Sequence, residues 1–63
     1  MRMQIKLKRI EKGYKQADIG KIIGVSRQTI SLYERGKNIP KFENMKIISK
    51  FLGTPVQILF FDE

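Results

Sequence analysis

The stretch QADIGKIIGVSRQTISLYER, residues 16–35, decides how this chain folds. Two short helices that cross steeply at close range need a residue of almost no volume where they touch, and Gly20 meets that need. The turn between them needs a residue that tolerates positive φ, and Gly24 stands there. The stretch therefore predicts two helices crossed about a tight turn.

The apolar residues of this stretch point toward one interior. Val25 is expected to close the turn from inside, and Ser26 stands where the second helix begins. The Ser26 hydroxyl is expected to accept a hydrogen bond from the backbone N–H of Gln28 or Thr29, which marks the start of that helix. The predicted interior positions are Ile19, Ile23, Val25, Ile30 and Tyr33.

Glycine and proline positions divide the rest of the chain into further helices. The predicted helices cover residues 4–12, 16–23, 27–35, 41–52 and 56–59, and residues 36–40 form a loop. Thr54 and Pro55 read as the cap and first turn of the last helix. In the fourth helix, the predicted core residues are Phe42, Met45, Ile48 and Phe51 or Leu52.

Composition narrows the function classes. The chain has 63 residues, enough for one domain, with 13 Lys and Arg against 6 Asp and Glu, a net charge of +7 that favours a polyanionic partner. It contains no Cys and no His, so we expect no metal site, no cofactor and no catalysis. No apolar run reaches the roughly 20 residues that a membrane span needs, and no signal-peptide core is present, so a cytoplasmic protein is expected.

RIEKGYKQADIGKIIGVSRQTISLYERGKNIP followed by FENMKIISKFLGTPVQIL resembles the Cro/C1-type helix-turn-helix family, the phage-repressor-like regulators of bacteria and phages. The resemblance covers about residues 5–60, and it is strongest with short stand-alone members that carry no ligand or oligomerisation domain. It implies an all-α, five-helix lambda-repressor-like domain with the helix-turn-helix at residues 16–35. Some relatives have a terminal strand, and MRM at residues 1–3 and FFDE at residues 60–63 could pair similarly.

The outer face of the second helix of the pair predicts base contacts. If Ile30 and Tyr33 point inward, the opposite face is the one that enters a major groove. Arg27 can bind guanine and Gln28 can bind adenine, each through two hydrogen bonds, while Leu32 can pack on a thymine methyl group. The resemblance places the family's base-contacting positions on the same three residues. The alternative is that Arg27 and Gln28 are only solvated.

Phosphate contacts are expected beside this face. Gln16 lies at the amino end of a helix, whose free N–H groups and dipole attract phosphate, and the resemblance implies that it also braces the glutamine of the recognition helix. Lys15 stands where the family often has a Ser or Thr cap, so it adds a cation and weakens the cap. For any single lysine the alternative is a solvated charge. The predicted phosphate contacts are Lys15, Gln16, Thr29, Lys37 and Asn38.

The resemblance also implies a structural ion pair between Arg9 and Glu34, which would fix the orientation of the recognition helix. The sequence ILFF at residues 58–61 suggests a partner surface, since so small a monomer would have difficulty covering it. We expect a homodimer interface at Leu59, Phe60 and Phe61. The alternative is that these side chains complete the core of the monomer.

Together these features predict a sequence-specific regulator of transcription that binds double-stranded DNA, a homodimeric repressor of an inverted-repeat operator. One rival is an antitoxin or similar module that uses residues 58–61 to bind a second protein. Another is a nonspecific binder of nucleic acid or acidic membranes, which would not need Arg27 and Gln28 on one face. An enzyme is disfavoured because no acidic residues converge with lysines as acid–base catalysis requires.

Overall fold

The structure is a computed structural model that describes residues 4–61. Its helices are α1 (Ile5–Glu11), α2 (Gln16–Ile23), α3 (Arg27–Glu34), α4 (Phe42–Leu52) and α5 (Gln57–Phe61), the last being a wide π-helical turn. This order confirms the all-α, five-helix prediction. Within residues 4–61 there is no strand, and none of the helices is long and apolar enough to cross a membrane.

Phe60 and Phe61 are helical where the sequence left a short terminal strand possible. The Pro55 carbonyl accepts hydrogen bonds from the N–H groups of Ile58 and Leu59, each at 3.1 Å, and these bonds wind the chain into α5. Phe60 and Phe61 therefore belong to a helical turn, while the other residues of the predicted strand pair, 1–3 and 62–63, lie outside the described part of the chain.

The crossing of α2 and α3 depends on the two glycines that the sequence singled out. Gly24 ends α2 with φ +73°, and the N–H of Val25 donates to the Gly20 carbonyl at 2.9 Å. A Cβ atom on Gly20 would lie 2.5 Å from the Val25 carbonyl oxygen, closer than real contacts allow. Only glycine fits where the end of the turn meets α2.

All five helices contribute to one core. The N–H of Gln4 donates to the Leu59 carbonyl at 3.1 Å, which holds the start of α1 against α5. Tyr14, Ile23, Val25, Phe51 and Val56 pack around this core, partly buried. The buried core residues are Ile5, Ile19, Ile30, Tyr33, Met45, Ile48, Leu52, Leu59 and Phe60.

The predicted dimer interface is wrong for two of its three residues. Leu59 and Phe60 have no exposed surface, because α5 turns them into the core of their own chain. The alternative, that this segment completes the monomer, describes these two side chains correctly. Phe61 is 53% exposed and is the remaining accessible member of the predicted set.

The predicted core of α4 is correct except at its first residue. Met45, Ile48 and Leu52 are buried, and Phe51 stacks on Tyr14 with ring centroids 4.3 Å apart. Phe42 is 61% exposed instead. Helical side chains lean toward the amino end, so the side chain of a first helical residue projects beyond the packed part of its helix.

The start of α5 also differs from the prediction. The Thr54 hydroxyl donates to the Leu52 carbonyl at 3.3 Å and so satisfies the end of α4, not the beginning of the next helix. Thr54 is buried at this junction, and its own carbonyl accepts from the Ser49 hydroxyl at 2.6 Å. Thr54 therefore closes α4.

Replacing Gly20 with alanine tests the close crossing. We expect Gly20→Ala to lower the free energy of unfolding by about 1–3 kcal/mol, because the added methyl group meets backbone that cannot rotate away. Urea unfolding followed by circular dichroism measures the change. Lys21→Ala, an exposed neighbour on the same helix, is the control and should stay within about 0.5 kcal/mol of the wild type. Equal effects of the two substitutions would contradict the close contact.

Candidate nucleic-acid interface

The amino end of α3 is capped as the sequence predicted. The Ser26 hydroxyl accepts a hydrogen bond from the Thr29 backbone N–H at 3.3 Å. The Thr29 hydroxyl lies 3.3 Å from the same oxygen. A capped start holds the first turn of α3 rigid, which is the turn that carries Arg27 and Gln28.

The two faces of α3 are divided as the apolar spacing predicted. Ile30 and Tyr33 are buried in the core. Arg27 and Gln28 are exposed on the first turn, and Leu32 is half-buried one turn later. The three predicted base-contacting residues therefore remain accessible on the outer side of the helix, and their contacts with bases stay a prediction.

The loop after α3 is fastened to the same helix. The Leu32 carbonyl accepts from the N–H groups of Lys37 at 2.9 Å and Asn38 at 3.4 Å. The side chains of Lys37 and Asn38 are exposed. These bonds hold two of the predicted phosphate-binding side chains at a set distance from α3.

Arg9 and Glu34 form the predicted ion pair, with two hydrogen bonds. Arg9 Nε donates to Glu34 Oε2 at 2.7 Å, and Arg9 Nη2 donates to Glu34 Oε1 at 3.2 Å. The side chains are only 11% and 3% exposed. Arg9 Nη1 donates to the Tyr14 carbonyl at 2.9 Å, so the same guanidinium also holds the chain that leads into α2.

Gln16 has a different partner from the one predicted. Its amide nitrogen donates to Glu34 Oε1 at 3.1 Å, and no hydrogen bond joins it to Gln28 within residues 4–61. The carboxylate attracts the amide because it is a charged acceptor that is almost wholly removed from water. The bond to Gln28 that the family resemblance implied is thus not formed among the described residues, while the placement of Gln16 at the amino end of α2 is as predicted.

The start of α2 has a cap that sequence reasoning missed. Asp18 Oδ2 accepts from the Lys15 backbone N–H at 2.7 Å, which is the carboxylate half of a capping box. An acidic residue three places after the cap position is the signal that could have revealed it. The Lys15 ammonium group cannot accept a hydrogen bond, so it takes no part in this cap and its side chain is exposed.

An open cavity of about 400 Å³ lies between the start of α2 and the start of α3. It brings a predicted base-contacting residue, Arg27, next to two predicted phosphate-contacting residues, Lys15 and Gln16. Within residues 4–61, neither Lys15 nor Arg27 belongs to an ion pair. The full lining is Arg9, Tyr14, Lys15, Gln16, Ala17 and Arg27.

In the described part of the chain, α1 takes part in two ion pairs, which should contribute differently to the free energy of unfolding. We expect Arg9→Met to cost about 3–5 kcal/mol, because it leaves the buried Glu34 carboxylate without its cation. The Lys8–Glu11 pair, at 3.6 Å and with side chains 33% and 64% exposed, provides the control, and Lys8→Met should cost about 0.5 kcal/mol or less. Urea unfolding of both variants measures the difference, and similar losses would show that the Arg9 pair is no more valuable than a surface contact.

Comparison with known proteins agrees with this geometry. Residues 5–59 match the model of a family described as Helix-turn-helix. The transcriptional repressor RstR of the cryptic phage CTXphi, from Vibrio cholerae, is 35% identical over 54 residues, which are 86% of this chain and 49% of RstR. An uncharacterized HTH-type transcriptional regulator of Methanocaldococcus jannaschii is 36% identical over 63 residues, 100% of this chain and 96% of that protein.

Two further comparisons extend this set. An uncharacterized HTH-type transcriptional regulator of Sinorhizobium medicae is 34% identical over 59 residues, 94% of this chain and 42% of that protein. The chain thus spans about half the length of RstR and of the Sinorhizobium protein, but nearly all of the archaeal one. The crystal structure of a hypothetical transcription factor from Neisseria, NHTF, superposes with a TM-score of 0.75 at 24% identity, covering 92% of this chain and 67% of that one, which indicates a shared fold.

Proposed function

The chain belongs to the Cro/C1-type helix-turn-helix family, and we propose that it is a homodimeric transcriptional repressor that binds an inverted-repeat operator in double-stranded DNA. The observation that carries the proposal is the capped α3, whose exposed first turn presents Arg27 and Gln28 beside the cationic cavity at the start of α2.

The proposed base contacts follow from the chemistry of the exposed face. In a major groove, Arg27 donates two hydrogen bonds to guanine O6 and N7, and the Gln28 amide pairs with adenine N6 and N7. Leu32 packs against a thymine methyl group one helical turn further on. The buried Ile30 and Tyr33 hold this face outward, so the reading side chains need no rearrangement of the core.

The proposed phosphate contacts come from two segments next to α3. Lys15 and Gln16 lie at the start of α2, and Lys37 and Asn38 lie in the loop whose backbone is bonded to Leu32. One N–H of the Gln16 amide donates to Glu34, and its second N–H can donate to a phosphate. Thr29 adds its hydroxyl from the first turn of α3. The net charge of +7 supports such binding, which should weaken steeply with salt.

The proposal of a dimer rests on size and on exposed apolar residues. The domain measures 26 × 22 × 20 Å, so one copy covers one half-site, and a second copy is needed to reach the next major groove about 34 Å away. Phe61 and Ile58, both accessible on α5, are the proposed contact. Burial of Leu59 and Phe60 removes two of the four side chains that the antitoxin alternative assigned to a second protein.

Repression is proposed from the likeness to RstR, which is named a transcriptional repressor. A domain of this size acts most simply by occupying a promoter and blocking the polymerase. The chain covers only 49% of RstR, so the likeness bears on DNA binding and not on what the rest of RstR does.

Selection of bound sequences from a randomised duplex pool at physiological salt tests the proposed function. The wild type should enrich an inverted repeat, and the double variant Arg27→Ala with Gln28→Ala should enrich nothing, because it loses both hydrogen-bonding side chains of the outer face. A wild type that enriches no sequence would overturn the proposal of an operator-binding regulator.

Single substitutions should separate base reading from phosphate binding. We expect Gln28→Ala to cost about 1–3 kcal/mol on the selected operator and to relax the preference at one base pair. Lys37→Ala should weaken binding to all duplexes alike and reduce the salt slope by about one unit. Titrations of operator and scrambled duplexes at several salt concentrations measure both effects. Identical behaviour of the two variants would contradict the assignment of α3 as the reading helix.

The proposed dimer contact can be tested at two exposed phenylalanines, Phe61 and Phe42. Phe61→Ser should shift the monomer–dimer equilibrium toward monomer by about tenfold or more, since it removes an apolar side chain from the contact. Phe42→Ser, on the first turn of α4, is the matched control and should leave the equilibrium unchanged. Sedimentation equilibrium measures both. A dimer that survives Phe61→Ser unchanged would place the contact elsewhere.

A further inference from the structure

The Glu34 carboxylate joins three helices at one buried point. It lies near the end of α3, and it accepts from Arg9 of α1 and from Gln16 of α2. The side chain is 3% exposed, so both of its oxygens are filled by protein donors and are almost sealed from solvent. A charged acceptor in such surroundings holds its donors more firmly than one in water.

These bonds determine how the start of α2 lies relative to α3. Glu34 orients the Gln16 amide directly, at 3.1 Å. It also orients the Arg9 guanidinium, whose remaining arm holds the Tyr14 carbonyl at 2.9 Å, two residues before α2 begins. The backbone entering α2 and its first side chain are thus both tied to the far end of the recognition helix.

The hydrogen bonds of Glu34 lie beside the cavity between α2 and α3. Lys15 and Gln16, at the start of α2, and Arg27, at the start of α3, all line the cavity. Under the proposed function these residues contact phosphate and base respectively, so the separation between them determines whether both contacts can form on one operator. Glu34 does not line the cavity, but it belongs to α3 and accepts a hydrogen bond from Gln16, so it links the two helices that carry these residues.

We propose that Glu34 is a positioning residue for operator selectivity, which holds the phosphate-binding Gln16 in register with the base-reading face of α3. The proposal rests on the proposed function. Base contacts require exact hydrogen-bond geometry, whereas nonspecific binding needs only charge near the phosphates. Loss of the Glu34 carboxylate should therefore reduce binding to the operator and spare binding to unrelated duplexes.

A substitution of Glu34 separates this role from a general effect of charge. Glu34→Gln keeps the shape of the side chain, raises the net charge of +7 by one unit, and releases Arg9 from its counter-ion beside the cavity. Both changes favour nonspecific binding of DNA. The loss of positioning should therefore weaken binding to the operator, whereas the added charge should strengthen it. The ratio of the affinity for the operator to the affinity for unrelated DNA separates the two effects.

The experiment compares Glu34→Gln with Glu43→Gln, which changes the charge equally at an exposed residue of α4. Dissociation constants are measured for the selected operator and for a scrambled duplex, across several salt concentrations. We expect Glu34→Gln to lower the ratio of specific to nonspecific affinity by about tenfold, and Glu43→Gln to leave it unchanged. A ratio that is the same in both variants would overturn the role of Glu34.

A second variant guards against simple unfolding. Circular dichroism at the assay temperature measures the folded fraction of each variant. Arg9→Lys keeps the charge at this position but loses the forked guanidinium that bonds to both Glu34 and the Tyr14 carbonyl. Arg9→Lys should also lower the ratio, with an unchanged salt slope, and a folded Arg9→Lys protein with wild-type selectivity would overturn the proposal. A wild type without any selectivity would instead overturn the proposed function.

Discussion

The approach of Gly20 to the Val25 carbonyl determines how closely α2 and α3 can cross, and the rest of the molecule is arranged around that crossing. A methyl group at this point would meet backbone at 2.5 Å, so neither helix could keep its place. With the crossing in place, Ile19 and Ile30 enter one core and the outer side of α3 is left free. The exposed outer face of α3 is thus a consequence of the close contact between the two helices.

The Arg9–Glu34 pair adds a second constraint, and its nature is electrostatic. A buried ion pair gains little net stability over apolar residues, because desolvation of two charges offsets their attraction. The pair instead orients the helices, because the Arg9 guanidinium and the two oxygens of Glu34 bond in one geometry. Gln16 bonds to Glu34 and the Tyr14 carbonyl bonds to Arg9 in the same network. Packing determines how near the helices lie, and this network determines how they are turned.

The third constraint is the small size of the core. A chain of 63 residues buries only about 60% of its unfolded surface, so each buried side chain matters. Leu59 and Phe60 form part of the core. The hydrogen bond from the Gln4 N–H to the Leu59 carbonyl joins the two ends of the described chain. Among residues 4–61 no further element covers Phe61 and Phe42, and both side chains are exposed. The short segment α5 therefore supplies both buried core side chains and exposed apolar ones.

Features that depend on a few neighbouring residues follow directly from the sequence. Gly24 and Ser26 mark the turn and the cap because positive φ and a free N–H are local requirements, and the apolar spacing of Ile30 and Tyr33 separates the two faces of α3. The burial of Phe60 and the hydrogen-bond partner of Gln16 follow only from the packing of distant helices. Phe60 is buried where α5 lies against the start of α1, and Gln16 bonds to Glu34 where α2 lies against the end of α3. Helical periodicity does not predict which helices pack together.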